Sequence, residues 1–121
     1  MPSFGTLKAD TLTHSTAGSL ATNFVVQGSA KAWVHGNSDA TIDESLNTSS
    51  GTDNGTGNYT FTYTNSMSTA NHVSVGSTRT SSDQSTTMLL AAASTNIYSY
   101  DISSHSLEDR DPLFIAAGDL A

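Results

Sequence analysis

A chain of 121 residues with 4 basic and 11 acidic side chains, a net charge of −7 and no cysteine has the length of one domain. Its charge disfavours nucleic acid and anionic membranes as partners, and the lack of cysteine excludes disulfides and thiolate metal sites. Ser and Thr make up nearly a third of the residues, DEKR only 12%, and much of the 36% hydrophobic share is alanine, so large apolar side chains are scarce. A chain so built has little margin against the entropy of ordering its backbone, and something outside the monomer is expected to supply the remainder.

Residues 1–22 carry Leu7, Leu12 and Leu20 as isolated apolar anchors without periodicity, and read as an extended N-terminal arm. Met1 to Lys8 lacks the apolar run of a signal peptide, and no stretch reaches membrane-spanning length, so the chain is expected to fold in a cytoplasm. A domain is predicted over 23–121. It opens with two short β-like runs, Phe24-Val25-Val26-Gln27-Gly28 and Ala30-Lys31-Ala32-Trp33-Val34-His35-Gly36. After a turn at Asn37-Ser38-Asp39, residues 40–50 read as a strand with Ile42 and Leu46 on one face. Glu44 interrupts that face and predicts a sheet edge, an ion pair or a subunit contact.

Over 45–64 the reading is a β-hairpin. The turn Gly51-Thr52-Asp53-Asn54-Gly55-Thr56-Gly57 supplies residues that tolerate positive φ, and Tyr59-Thr60-Phe61-Thr62-Tyr63-Thr64 puts its aromatic residues on one face. Trp33, Tyr59, Phe61 and Tyr63 are expected in the core. Residues 71–80 alternate again, 86–93 read as a buried strand although Met, Leu and Ala also suit a helix, and 96–103 alternate. A charged loop over 107–111 precedes a closing strand over 112–118. Seven or eight short strands with regular turn signals predict an all-β protein, an antiparallel β-sandwich or jelly-roll-like domain.

Little in the chain points to chemistry. His14, His35, His72 and His105 stand at no metal-ligand spacing and read as surface or edge side chains, and no Gly-x-Ser-x-Gly elbow selects a nucleophile. Asp39, Asp43 and Glu44, and also Glu108, Asp109 and Asp111, are acidic groups at spacings that fit no standard calcium loop, so each reads as a solvated turn. The Asp53-Asn54-Gly55-Thr56-Gly57 segment is explained by turn geometry. The sequons at Asn47, Asn54 and Asn58 follow from Ser and Thr richness. The expectation is a protein without catalytic residues, cofactor or metal.

Three segments together carry a resemblance: Phe24 through Ala30-Lys31-Ala32-Trp33-Val34, then Ile42-Asp43-Glu44-Ser45-Leu46-Asn47-Thr48-Ser49-Ser50, then Thr52-Asp53-Asn54-Gly55-Thr56-Gly57-Asn58-Tyr59-Thr60. They resemble a module of tail-fibre and other virion structural proteins of tailed phages, of the marine and cyanobacterial kind. Gly5-Thr6-Leu7-Lys8-Ala9-Asp10-Thr11-Leu12 is similar to the segment that precedes that module, and Leu113-Phe114-Ile115-Ala116-Ala117-Gly118-Asp119 to its last strand. The chain departs from the pattern at Asp43, where a basic residue is common, and in its polar 35–40 loop, where an aromatic is frequent.

The resemblance implies a non-enzymatic virion component, assembled in the host cytoplasm and released by lysis. It implies a homotrimeric tail-fibre or appendage module that joins other virion proteins through its N-terminal arm and attaches to a host surface receptor. Loops around Asn37, Ser82 and Asp109 are the candidate recognition surfaces. The alternative is a capsid decoration protein that staples neighbouring major capsid subunits.

Overall fold

From Ala30 onward the strand alternation builds two antiparallel sheets packed face to face in the computed structural model, which describes residues 9–79 and 84–121. The first sheet has the order β4 (Ile42–Leu46), β3 (Ala30–Gly36), β11 (Pro112–Ala117), β7 (Val73–Thr78). In the second, β5 (Thr48–Asp53) pairs with β6 (Asn58–Tyr63), β6 with β9 (Ser94–Asp101), and β8 (Gln84–Ala91) runs along the other edge of β9. The two-residue β10 (Ser106–Leu107) pairs with β9 beyond the end of β6. The protein is an all-β antiparallel sandwich.

The core lies between the sheets. Tyr59, Phe61 and Tyr63 from β6 meet Ala32 and Val34 from β3, Ile97 from β9, and Phe114 and Ala116 from β11. Phe61 and Tyr63 set their ring centroids 5.9 and 6.3 Å from that of Phe114, tilted or edge-on as aromatic pairs prefer. Trp33 was expected in this core and is not there. It is half-buried on the outer side of β3, because Ala32 and Val34 are the residues whose size fits the gap that the β6 and β11 aromatic rings leave.

The hairpin over 45–64 forms as β5 and β6, with Gly55 and Gly57 at positive φ in its turn. Residues 40–50 are not one strand. Asn47 adopts φ 53°, a corner that sends β4 into the first sheet and β5 into the second. Its side chain holds the corner by accepting from the Asn65 N–H (2.7 Å) and donating to the Asn65 carbonyl (2.9 Å). Glu44 sits on β4, an edge strand, as its disruption of the apolar face predicted. Of the 86–93 segment, 86–91 form a strand as part of β8 and not a helix, and Ala92 and Ala93 make the turn that follows. The strand is not buried as expected, because it runs along the edge of its sheet with alternate residues exposed, Leu89 among them.

Ahead of the sandwich the chain departs from the expected arm. β1 (Thr11–His14) and β2 (Gly18–Ala21) form a hairpin, clamped at its base where the Thr22 hydroxyl donates to the Ala9 carbonyl (2.6 Å). Residues 24–28, read as β-like, belong to the helix α1 (Thr22–Gly28). A strand there would need a sheet edge to pair with, and the helix satisfies its own backbone instead. Lys31 helps by donating its ammonium to the Val26 and Ser29 carbonyls at the C-terminal end, where a cation is favoured. Of the expected arm, residues 1–8 lie outside the described residues, as does the loop at Ser82.

Candidate functional site

The strand directions give the sandwich two unlike poles. At one pole lie the β3–β4, β5–β6, β9–β10 and β10–β11 connections, with Thr78, Arg79 and Gln84 beside them. At the other, Ala30 leads in from α1, and Asn47, residues 64–72, Ala92, Ala93 and the C-terminal residues hydrogen-bond to one another. The N-terminal hairpin and helix therefore emerge opposite the loops.

At the loop pole the acidic side chains are committed to local backbone and side-chain donors. Asp109 accepts from the Gly57 N–H (2.7 Å) and the Tyr59 hydroxyl (3.3 Å), which ties the β10–β11 connection to the second sheet. Two residues on, Asp111 accepts from the Ser38 N–H (3.1 Å) and pairs with Arg79 (2.8 Å), which ties the same connection to the first sheet. Burial chiefly, opposed by the Arg110 N–H and reinforced by the Asp109 charge, pushes the Tyr59 phenol up to about 12.

Asp39 accepts from the Thr41 N–H (2.9 Å), and that bond with the Thr41 hydroxyl holds its carboxyl below the usual range. Asp101 accepts from Ser103 and Ser104, which lowers it to about 2. Asp53 caps Gly55, Asp43 accepts from Asn37, and Glu108 pairs with Arg110. Glu44 is exposed on the edge of its sheet. Of the acidic groups expected in turns, Asp39, Asp109 and Asp111 accept backbone N–H groups, whereas Asp43 and Glu44 lie in the strand β4. Among the described residues no three His, Asp or Glu side chains come together as metal ligands.

The histidines separate. Arg79 donates to Nε2 of His35 (2.9 Å), with Asp43 3.9 Å from the same nitrogen, on the rim of the loop pole. His105 is exposed in a turn at φ 55°, and His14 lies in β1. His72, expected at the surface, is buried. It reaches into the core from just ahead of β7, edge-on to Tyr63 with ring centroids 5.8 Å apart, and its backbone passes so close to Gly118 that a Cβ there would meet the His72 Cβ at 2.7 Å. The three sequon asparagines are likewise engaged: Asn47 at its corner, Asn54 donating to Thr60 (2.8 Å), and Asn58 accepting from Asn96 (3.1 Å).

The outer faces of the two sheets differ in kind. The second sheet presents an Asn and Thr ladder, in which Asn96 donates to both Asn58 and Thr60. The first presents apolar side chains in register, Leu46 beside Trp33, Trp33 beside Ile115 and Ile115 beside Val75. That face was not among the expected surfaces. Its signal in the sequence is the run Leu113-Phe114-Ile115-Ala116-Ala117, apolar at every position, which gives both faces of β11 apolar side chains although its outer face is exposed at Ile115.

No helix among the described residues is long and apolar enough to cross a membrane. The candidate surfaces are therefore three: the loop pole, the N-terminal unit opposite it, and the apolar face between them. No family model, curated protein or solved structure matches this chain.

Proposed function

We propose that the chain is a non-enzymatic structural module of a tailed-phage virion, a small trimeric tail-fibre or appendage domain that mediates attachment to a host surface. The observation that carries this reading is the polarity of the molecule. The N-terminal hairpin and helix leave one pole while four described loop connections gather at the other, the arrangement of a domain anchored at one end and presenting the opposite end. Loops positioned by a rigid sheet scaffold are common recognition elements, and Asn37 and Asp109 lie among them. A trimer would present three such poles side by side and raise avidity well above the affinity of one. The resemblance of the sequence to phage virion modules supports the same assignment.

A capsid decoration role is the second reading, favoured by the apolar outer face of the first sheet, which suits a staple lying across neighbouring capsid subunits. Labelling this protein on intact virions and locating the label by electron microscopy separates the two. Label at the tail or its appendages is the expected result, and label spread over the capsid surface overturns the attachment role in favour of decoration.

A further inference from the structure

On the first-sheet side of the loop pole, polar groups form a circuit with one gap. Arg79, just past β7, donates from Nη1 to Nε2 of His35 on β3 (2.9 Å) and from Nη2 to Oδ2 of Asp111 (2.8 Å). Oδ1 of Asp111 accepts from the Ser38 N–H in the β3–β4 connection (3.1 Å), and the neighbouring Asn37 donates to Oδ1 of Asp43 (2.8 Å). The gap lies between the two ends: Oδ2 of Asp43 stands 3.9 Å from the same His35 nitrogen that Arg79 engages.

The donor fixes the state of that nitrogen. A guanidinium has N–H groups and no acceptor, so Nε2 of His35 must accept, and its ring is neutral with the proton on Nδ1. That is the minor tautomer of a free histidine side chain. In an imidazolium both nitrogens carry protons, and Nε2 would meet the Arg79 N–H as donor against donor and cation against cation. A carboxylate suits the charged ring, and Asp43 is the one within reach. The other neighbours leave that choice unaltered. Glu44 stands opposite His35 in the β4 register but is exposed, Leu113 opposite it in the β11 register is apolar, and Asp111 is engaged with Arg79 and Ser38. Lys31, farther along β3, is held at the end of α1.

We propose that His35 is a pH-operated switch of the loop pole: neutral, it ties β3 to the end of β7 through Arg79, and protonated, it releases Arg79 and takes Asp43. Histidine is the side chain whose ordinary charge change falls between pH 5 and 8, while carboxylate and guanidinium groups keep their charge there. Asp43 has to approach by about 1 Å to reach the length of a charge-assisted hydrogen bond. Asn37, as the donor to Asp43, moves with it, so the turn that carries Asn37 and Ser38 shifts against Arg79. Arg79, with half of its side chain exposed, keeps its Asp111 pair and turns Nη1 to solvent, and the pole gains a positive charge. The switch is independent of what the pole binds, and only its use in tuning attachment rests on the reading above.

Nitrogen-15 NMR of the imidazole rings reads the tautomer directly, with the His35 signals assigned by their absence in His35→Gln. At about pH 8 the Nδ1–H form is expected, and Arg79→Leu is expected to turn the ring to the Nε2–H form, since Asp43 is then the partner within reach. A natural protein with His35 in the Nε2–H form at that pH, or a tautomer indifferent to Arg79→Leu, overturns the proposal. On titration to about pH 5, the backbone amide signals of Ser38, Asp43 and Arg79 are expected to shift with the midpoint of the His35 ring and to stay still in His35→Gln. Amides that do not follow the ring, or that move equally in His35→Gln, overturn the switch. Attachment plays no part in these measurements, so their failure leaves the attachment reading standing, and label found over the capsid surface leaves the switch standing.

Discussion

The Tyr63 phenol oxygen lies 3.1 Å from Nε2 of His72, and the pair forms the middle of a buried chain of hydrogen bonds. The Thr69 carbonyl, 3.1 Å from Nδ1, can only accept, so Nδ1 carries the proton and Nε2 accepts from the phenol. Tyr63 in turn accepts from the Thr95 hydroxyl. Replacing Tyr63 with Phe removes the shared atom and leaves two buried groups without a partner. Urea unfolding of Tyr63→Phe is expected to show a loss of about 1–3 kcal/mol, well above that of a surface substitution.

Gly51 faces the Ala40 carbonyl, and a Cβ built at Gly51 would stand 2.0 Å from that oxygen and 3.0 Å from the Phe61 ring. The backbone oxygen has no room to yield, since Ala40 is itself buried in a turn at φ 64°. Gly51→Ala is expected to destabilise the fold by about 1–3 kcal/mol, the cost of overpacking, despite adding one methyl group to an exposed-looking hairpin strand. Thermal unfolding followed by circular dichroism reads the effect.

The corner at Asn47 depends on a left-handed backbone and on three hydrogen bonds to Asn65. Asn47→Ala loses both the local tolerance of that φ and the side-chain ties, with an expected loss of about 1–2 kcal/mol. Asn47→Gly keeps the backbone freedom and is expected to lose less. The ordering of the two variants in chemical denaturation checks the account, and equal losses would contradict it.

Alkaline pH tests the buried phenols. The Tyr59 phenol rises to about 12 in the folded protein, against about 10 when unfolded, and burial raises Tyr63 in the same direction. Folding thus favours the neutral phenol, so its contribution is complete below pH 10 and is lost as pH climbs towards 12. Stability is expected to fall across that window by about 1–3 kcal/mol for Tyr59. In Tyr59→Phe the fall is expected to be shallower, while the neutral-pH stability drops because Asp109 and Arg110 lose their common partner.

At acid pH the Asp101 carboxyl, lowered to about 2 by its Ser103 and Ser104 donors, behaves in the opposite sense. Its stabilising share is present above the ordinary carboxyl range near 4 and disappears as pH falls through 2. Carbon-detected NMR titration is expected to show Asp101 ionised at pH 3, and to show its midpoint rise in Ser103→Ala.

The hairpin of β5 and β6, the strand character of β8 and the sandwich class were legible because alternation, turn glycines and β-prone residues all agree there. The helix at Thr22–Gly28 was not, because Phe24, Val25 and Val26 favour a strand by their own propensity. His72 was read as a surface residue because nothing local distinguishes it. Its burial depends on Tyr63, nine residues away, and on Gly118, which lies beside it only once β11 pairs with β7.

By itself the sequence determined the strand period from Ala30 onward, the positions of most turns, and the shortage of large apolar side chains. In β6 the aromatic alternation already marked the inward face, but in β3 and β7 only the tertiary structure decided it. In β7 the choice runs against hydrophobicity: Ser74, Gly76 and Thr78 face the interior while Val73 and Val75 face out. Met88 fills the space over Gly76, its Sδ 2.8 Å from where a Cβ would stand, so the inner positions admit only small residues. Alternation encodes two faces, and the volume left by the facing sheet assigns them.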